Sequence, residues 1–134
     1  MLESVKHYLG VAAVAVAAVF APIQAAIIAI FVLTVVDLIS GVMASIKEKT
    51  PITSEGLKRT VIKLFLYETA ICMAFLVQTY LTGDLFPASK LVTALVGLVE
   101  LKSLLENFDR ITGDSFFKNL IAKVTSAQDD LEKK

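Results

Sequence analysis

The sequence contains a single cysteine, Cys72, and a single histidine, His7, which excludes several kinds of site. A lone cysteine cannot form an intrachain disulfide, and within an apolar stretch it behaves as a small hydrophobic residue. One histidine and one cysteine far apart provide neither a zinc site nor a nucleophile with its base. There is also no glycine-rich phosphate loop and no Ser/His/Asp set. We therefore expect no enzymatic activity, no cofactor and no metal.

Charge is scarce and unevenly distributed. The formal net charge is zero and 19% of the residues are charged, whereas soluble domains carry about 25%. No stripe of basic and aromatic residues is present, so nucleic acid is not an expected partner. Asp, Glu, Lys and Arg are all missing from Tyr8 to Val36. That run exceeds the roughly 20 residues needed to cross the hydrocarbon core of a bilayer, which predicts an integral membrane protein.

The apolar runs predict the fold class. Hydrophobic residues make up 56% of the chain. The runs are long and continuous, whereas strands of a membrane barrel alternate over about 10 residues. We predict an all-α membrane protein with three or four transmembrane helices and a C-terminal amphipathic cytoplasmic helix.

Pro22 divides the apolar N-terminal half. A continuous helix from Leu9 to Ile46 would be about 57 Å long, nearly twice the thickness of the hydrocarbon core. We therefore expect a boundary at Pro22 rather than a kink, with residues 9–21 interfacial or a partial span and residues 23–46 a full span. Further spans are predicted at 64–81 and 85–101. A cleavable signal peptide is disfavoured because hydrophobicity continues past any cleavage site.

Polar breaks delimit these segments at residues 47–51, 82–84 and 112–114. Thr53 or Ser54 is expected to cap the helix after the first break. Three regions follow: an N-terminal apolar helix at 1–22, a helical membrane domain at 23–111 with a basic loop at 47–63, and a charged amphipathic tail at 112–134. The apolar face of the tail consists of Phe116, Phe117, Leu120, Ile121 and Val124.

The basic residues predict the orientation in the membrane. Lys47, Lys49, Lys58 and Arg59 lie in the loop between two spans, whereas the turn at 82–89 has no basic residue. By the positive-inside rule the loop and the C-terminus are cytoplasmic and the turn is external. The N-terminus is external with three spans, which we favour, and cytoplasmic if residues 9–21 also cross.

Four charged residues lie within or at the edge of the predicted spans: Asp37, Lys63, Glu68 and Glu100. Ionisable groups in a membrane are costly and therefore suggest function. One cluster, with Lys63 among the three carboxylates, is geometrically feasible near the cytoplasmic side. The favoured interpretation is that these groups set helix register or reach the headgroups, rather than forming an ion pathway.

Two further patterns concern helix packing. Asp37, Gly41 and Ser45 recur every four residues and form a small-residue face on which another helix, in the same chain or a sister copy, can pack closely. Glu106 and Arg110, also four apart, are expected to form a local ion pair on a solvated helix.

Two blocks of sequence resemble the phage holin family of toxin-secretion and phage-lysis holins. The first is Asp37-Leu-Ile-Ser-Gly41 with Met-Ala-Ser-Ile-Lys47, followed by Ser54-Glu-Gly56-Leu-Lys58-Arg and Lys63. The second is Glu100-Leu-Lys-Ser103-Leu-Leu-Glu106-Asn107, in which Ser103, Glu106 and Asn107 match the family's motif after its last span. The resemblance covers residues 23–111.

The resemblance implies a multi-pass protein of the bacterial inner membrane that oligomerises and breaches the membrane, releasing an endolysin or collapsing the potential. Under this hypothesis Asp37, Gly41 and Ser45 form the contact between copies and Glu68 faces the bundle interior. The alternative is a non-lytic anchor or structural subunit of a phage or secretion assembly, whose tail from Lys102 recruits a soluble partner. A third hypothesis is that the chain is a subunit of a small channel or transporter.

Overall fold

A computed structural model of the chain describes residues 1–83, 85–120 and 122–123. The described residues include four long α-helices: α1 (Leu2–Phe20), α2 (Gln24–Lys47), α3 (Ser54–Leu76) and α4 (Ala88–Thr112). A 3₁₀ turn at Ala21–Ile23 joins α1 to α2, and a π-helical turn at Val77–Leu81 extends α3. The prediction of an all-α fold is confirmed.

Helix boundaries follow local chemistry. Pro22 has no N–H and its ring excludes the carbonyl four residues earlier, so α-helical bonding stops there and a tight turn takes its place. Thr53 is the N-cap of α3, and its hydroxyl accepts a hydrogen bond from the Gly56 N–H at 3.3 Å. α4 ends at Gly113, whose φ of +83° is a conformation that glycine adopts at little cost.

Helices α2, α3 and α4 pack together, with the most extensive contact between α2 and α4. At one end of this bundle the core consists of Ile23, Ile30, Ile71 and Phe75. α1 has no buried residue, and its last residue, Phe20, contacts the Phe75 ring at a centroid distance of 6.2 Å. α1 is therefore attached to the bundle at its C-terminal end only.

The distribution of polarity is unlike that of a soluble domain. Among the described residues, six buried side chains are hydrophobic and six are polar or charged, while large apolar side chains are exposed along all four helices. Soluble proteins almost never fully bury a carboxylate or expose so much continuous apolar surface. Lipid is the solvent that this surface requires.

Two segments of the described chain are long and apolar enough to cross a membrane, Leu2–Lys47 and Ser54–Leu81. The first contains α1, the turn at Pro22 and α2, and at about 1.5 Å per residue it is far longer than one crossing needs. α4, which the sequence analysis treats as another span, is not among the two segments. Its first 15 residues carry three charged residues, Lys90, Glu100 and Lys102.

Candidate functional site: a buried charge network

An ion-paired network joins α2, α3 and α4 in the half of the bundle that is nearer the 48–53 loop. The Lys63 ammonium on α3 lies 3.0 Å from Asp37 Oδ2 on α2 and 3.1 Å from Glu100 Oε1 on α4. Glu100 is fully buried and Asp37 is 8% exposed. Since lipid offers no hydrogen bonds, two opposed carboxylates on one ammonium are what make this burial tolerable.

Asn107 extends the network along the α2–α4 interface. Its side-chain amide donates to Asp37 Oδ1 at 2.9 Å and to Ser40 Oγ at 3.0 Å, and the Ser40 hydroxyl donates to the Asp37 carbonyl at 2.9 Å. All three residues are buried. Asp37 therefore has a cation on one side and an amide on the other, which holds its carboxylate in one position.

The outer end of the network reaches the polar loop. The Arg110 guanidinium donates to both Glu48 carboxylate oxygens, at 3.0 and 2.6 Å, and to Asn107 Oδ1 at 3.1 Å. The hydrogen bonds from Arg110 lower the pKa of the Glu48 carboxyl below its usual value of 4.5. The Lys47 ammonium donates to the carbonyl of Ile111 in the last turn of α4, where a cation complements the helix dipole.

Glu68 is separate from this network. Both of its carboxylate oxygens are buried, and no described residue donates a hydrogen bond to them. The structure therefore brings together three of the four predicted cluster residues, and Glu68 remains an orphan polar group within α3. The Thr34 hydroxyl on α2 is likewise buried without a hydrogen-bond partner among the described residues.

The small-residue face of α2 is used within the chain. Asp37 bonds to Asn107, and a Cβ on Gly41 would lie 3.5 Å from the Asn107 side-chain nitrogen. Ser45 is half-buried and accepts, through its carbonyl, hydrogen bonds from Thr50. Much of the face therefore lies against α4 and the loop.

Residues of the second family-like block have different surroundings. Ser103 lines a groove beside α2, Glu106 is exposed and pairs with Lys102 at 3.4 Å, and Asn107 is buried. The expected pair between Glu106 and Arg110 does not form. Arg110 instead bonds Glu48 on another element, because the loop after α2 brings that carboxylate within reach.

The basic loop surrounds the same end of the bundle. Lys47 ends α2, Lys49 has a positive φ of 55° within the loop, and Lys58 and Arg59 are exposed near the start of α3. The Arg59 guanidinium pairs with Glu55 at 2.7 Å, and both side chains are mostly exposed. These four basic residues therefore lie at the same end of the bundle as the Arg110–Glu48 pair, which is the outer end of the network.

The start of the tail is tied to α4. The Asp109 carboxylate accepts hydrogen bonds from the backbone N–H groups of Phe117, at 3.0 Å, and Lys118, at 2.7 Å. A helical segment begins at 116, where Phe117 contacts the Phe108 ring and Phe116 and Leu120 are exposed. Ile121, Val124 and the charges near the C-terminus lie outside the described residues.

Sequence reasoning missed Ser40, Glu48 and the position of Arg110 in the network. Ser40 could have been found, since it follows Asp37 by three residues and shares its helical face. The link from Arg110 to Glu48 has no local signal, because 62 positions separate the two residues.

Comparison with known proteins places the chain in a family. A family model described as the bacteriophage holin family matches residues 14–127, which is most of the chain. No curated protein and no solved structure matches the chain. The matched range contains the whole network and both of the family-like blocks.

Proposed function

The chain belongs to the bacteriophage holin family, and from this we propose that it assembles with copies of itself in the bacterial cytoplasmic membrane and opens a lesion there. Holins are non-enzymatic membrane proteins that permeabilise the membrane for phage lysis. The lesion we propose is wide enough to release an endolysin from the cytoplasm. The chain's partners in this proposal are the lipid bilayer and sister copies.

One observation supports this proposal most directly: charged groups are buried between helices whose outer surfaces are apolar. In the single chain the Lys63 ammonium pairs with the carboxylates of both Asp37 and Glu100, and this pairing is what allows the closed bundle to hold these charges away from water. In an assembly the same groups can face water, since charged side chains that line a lumen regain their hydration. The same charged groups are therefore compatible with a closed state, in which they pair inside one chain, and with an open state, in which they line a lumen.

Glu68 and the small-residue face are the parts of the chain that we assign to assembly. The Glu68 carboxylate has no donor among the described residues, and a neighbouring copy that supplied one would be favoured in lipid. Gly41 and Ser45 are half-buried, so part of this face is still accessible to a sister helix.

We further propose a topology with three crossings, α2, α3 and α4, and with α1 at the external interface. The 47–63 loop and the tail from 112 would be cytoplasmic, and the turn at 82–89 external. Lys90, Glu100 and Lys102 lie toward the two ends of the α4 crossing, within reach of headgroups or of Lys63. The units of the chain are then 1–22, 23–111 and 112–134.

Inducible expression in bacteria tests the function. Cells are followed by optical density and a potential-sensitive dye, with and without a co-expressed endolysin that has no export signal. We expect an abrupt stop in growth with loss of potential, and lysis only when the endolysin is present. A slow dye response without lysis would instead support the non-lytic anchor. A shift in ion flux without endolysin release would support a selective channel.

A further inference from the structure

A groove of about 840 Å³ lies beside the charge network, between the C-terminal halves of α2 and α4 and the start of α3. Its volume is in the range of sites that hold small molecules. The groove opens at the basic end of the bundle, which the proposed topology places at the cytoplasmic surface of the membrane.

The lining of the groove changes character along its length. Toward the 48–53 loop it carries the guanidinium groups of Arg59 and Arg110 and the hydroxyls of Thr53 and Ser54. Toward the middle of the bundle its lining includes the apolar side chains of Leu38 and Val42. Asp37 and Ser103 also line this part, and the Asp37 carboxylate is already paired with Lys63 and hydrogen-bonded to Asn107. A ligand that matches both ends has an anionic hydrogen-bond acceptor at one end and a hydrocarbon portion at the other.

The two arginines differ in how they could receive an anion. Arg110 is oriented by Glu48 and Asn107, so its position is already set. Among the described residues the Arg59 guanidinium is held only by its pair with Glu55, in which the two side chains are 78% and 71% exposed. Such exposed pairs contribute a few tenths of a kcal/mol, so the Arg59 guanidinium can turn to a stronger acceptor such as a phosphate.

We propose that this groove binds one anionic phospholipid of the cytoplasmic leaflet, with its phosphate at Arg59 and Arg110 and an acyl chain along Leu38 and Val42. The proposal rests on the membrane placement proposed above and not on lysis. The cluster of Lys47, Lys49, Lys58 and Arg59 adds a field that favours anionic over zwitterionic headgroups. The amide groups in the first turn of α3 add partial positive charge at the same end.

Native mass spectrometry of the full chain, released from nanodiscs, tests the proposal. The nanodiscs contain phosphatidylcholine with or without phosphatidylglycerol. We expect one phosphatidylglycerol to be retained in preference to phosphatidylcholine. Arg59→Gln should weaken retention about 10-fold, the size expected when one charge-assisted hydrogen bond is lost. Lys58→Gln removes the same charge one position away, outside the groove lining, and should change retention less than about 2-fold.

Three results would overturn the proposal. Equal retention of phosphatidylglycerol and phosphatidylcholine would show that the groove has no preference for an anionic lipid. Equal effects of Arg59→Gln and Lys58→Gln would show that the preference comes from the general positive charge of the surface and not from the groove. Displacement of the lipid by millimolar inorganic phosphate would assign the groove to free phosphate. A chain that fails to enter nanodiscs at all would contradict the membrane placement, whereas one that enters without lipid preference would contradict this inference only. Circular dichroism of both variants checks that the helices are intact.

Discussion

Lys63 is the residue on which the buried charge of the bundle depends. Its ammonium is the cation shared by the carboxylates of Asp37 and Glu100, and these three side chains come from three different helices. Removing one partner from a buried ion pair leaves the other charge unpaired, which is more costly than the pair itself is stabilising. The stability of the bundle should therefore be sensitive to this position in particular.

Lys63→Met should lower the free energy of unfolding by about 3 kcal/mol, the usual size for an uncompensated buried charge. Unfolding of the purified chain in mixed micelles with increasing denaturing detergent measures this change. Lys58→Met, on the exposed part of the same helix, serves as the control and should cost under about 0.5 kcal/mol. Adding Asp37→Asn and Glu100→Gln to Lys63→Met should restore part of the loss. Equal effects of the two lysine variants would contradict the role of the network.

Glu48, which lies in the loop after α2, makes the stability of the fold depend on pH. Arg110 lowers the pKa of the folded carboxyl, so the pair stabilises the fold above the unfolded value of 4.5. This contribution is lost as the pH falls through the lower folded pKa. In thermal unfolding measured from pH 7 to below pH 4.5, Glu48→Gln should therefore lower the midpoint most at pH 7 and progressively less as the pH falls. Glu55→Gln is the matched control, and the same pH-dependent difference in both variants would exclude a specific effect of Glu48.

At the scale of helices, the α2–α4 contact explains why the two family-like blocks occur together. Asp37 in the first block and Asn107 in the second are 70 positions apart, and they are joined directly by a 2.9 Å hydrogen bond. Gly41, one turn after Asp37, leaves space for the Asn107 side chain. The small-residue face thus has a role inside the chain as well as the one we propose between copies.

Gly41→Ala and Gly41→Leu separate these roles. A Cβ at Gly41 meets Asn107 at an ordinary contact distance of 3.5 Å, and alanine favours helix by about 1 kcal/mol, so Gly41→Ala should be neutral or stabilising. Leucine should overfill the contact and cost about 1–3 kcal/mol. Detergent unfolding measures the stability, and crosslinking in membranes measures self-association, which we expect Gly41→Leu to weaken. Unchanged oligomers in a folded Gly41→Leu variant would assign the face to the chain interior alone.

At the scale of the whole molecule, polarity is arranged for a lipid solvent. Exposed apolar side chains surround a bundle whose interior contains a fully buried carboxylate. α1 extends this apolar surface without adding a buried residue. Only lipid or sister helices can cover such a surface, which accounts for association with the membrane independently of the family match.

Single cysteines in a Cys72→Ser background test the proposed topology. Intact spheroplasts are treated with a membrane-impermeant maleimide, and labelling is measured by gel shift. Leu85→Cys should react, Thr50→Cys should react only after lysis, and Leu2→Cys should react if three helices cross. Protection of Leu2→Cys together with labelling of Leu85→Cys would instead indicate four crossings. Labelling of Thr50→Cys in intact spheroplasts would reverse the orientation.

Much of the helix pattern could be predicted from the sequence because its causes are local. Uncharged runs, Pro22, the Thr53 cap and Gly113 act through neighbouring residues in the chain, and each marks a boundary that the structure contains. The boundary between two helices at Pro22 could be predicted from one local fact, which is that proline has no backbone N–H to donate. α4 was also predicted, as a span at 85–101, and it forms a helix at Ala88–Thr112, but it is not among the two described segments that are long and apolar enough to cross a membrane.

The sequence by itself determined that the chain is helical, apolar and in need of lipid, because these properties follow from composition and from nearest neighbours. Only the tertiary structure decided which charges meet. Helical periodicity gives the face of a residue but not the rotation or depth at which two helices pack. This is why Lys63 reaches Asp37 and Glu100 while Glu68 has no donor among the described residues, and why Arg110 bonds Glu48 instead of Glu106.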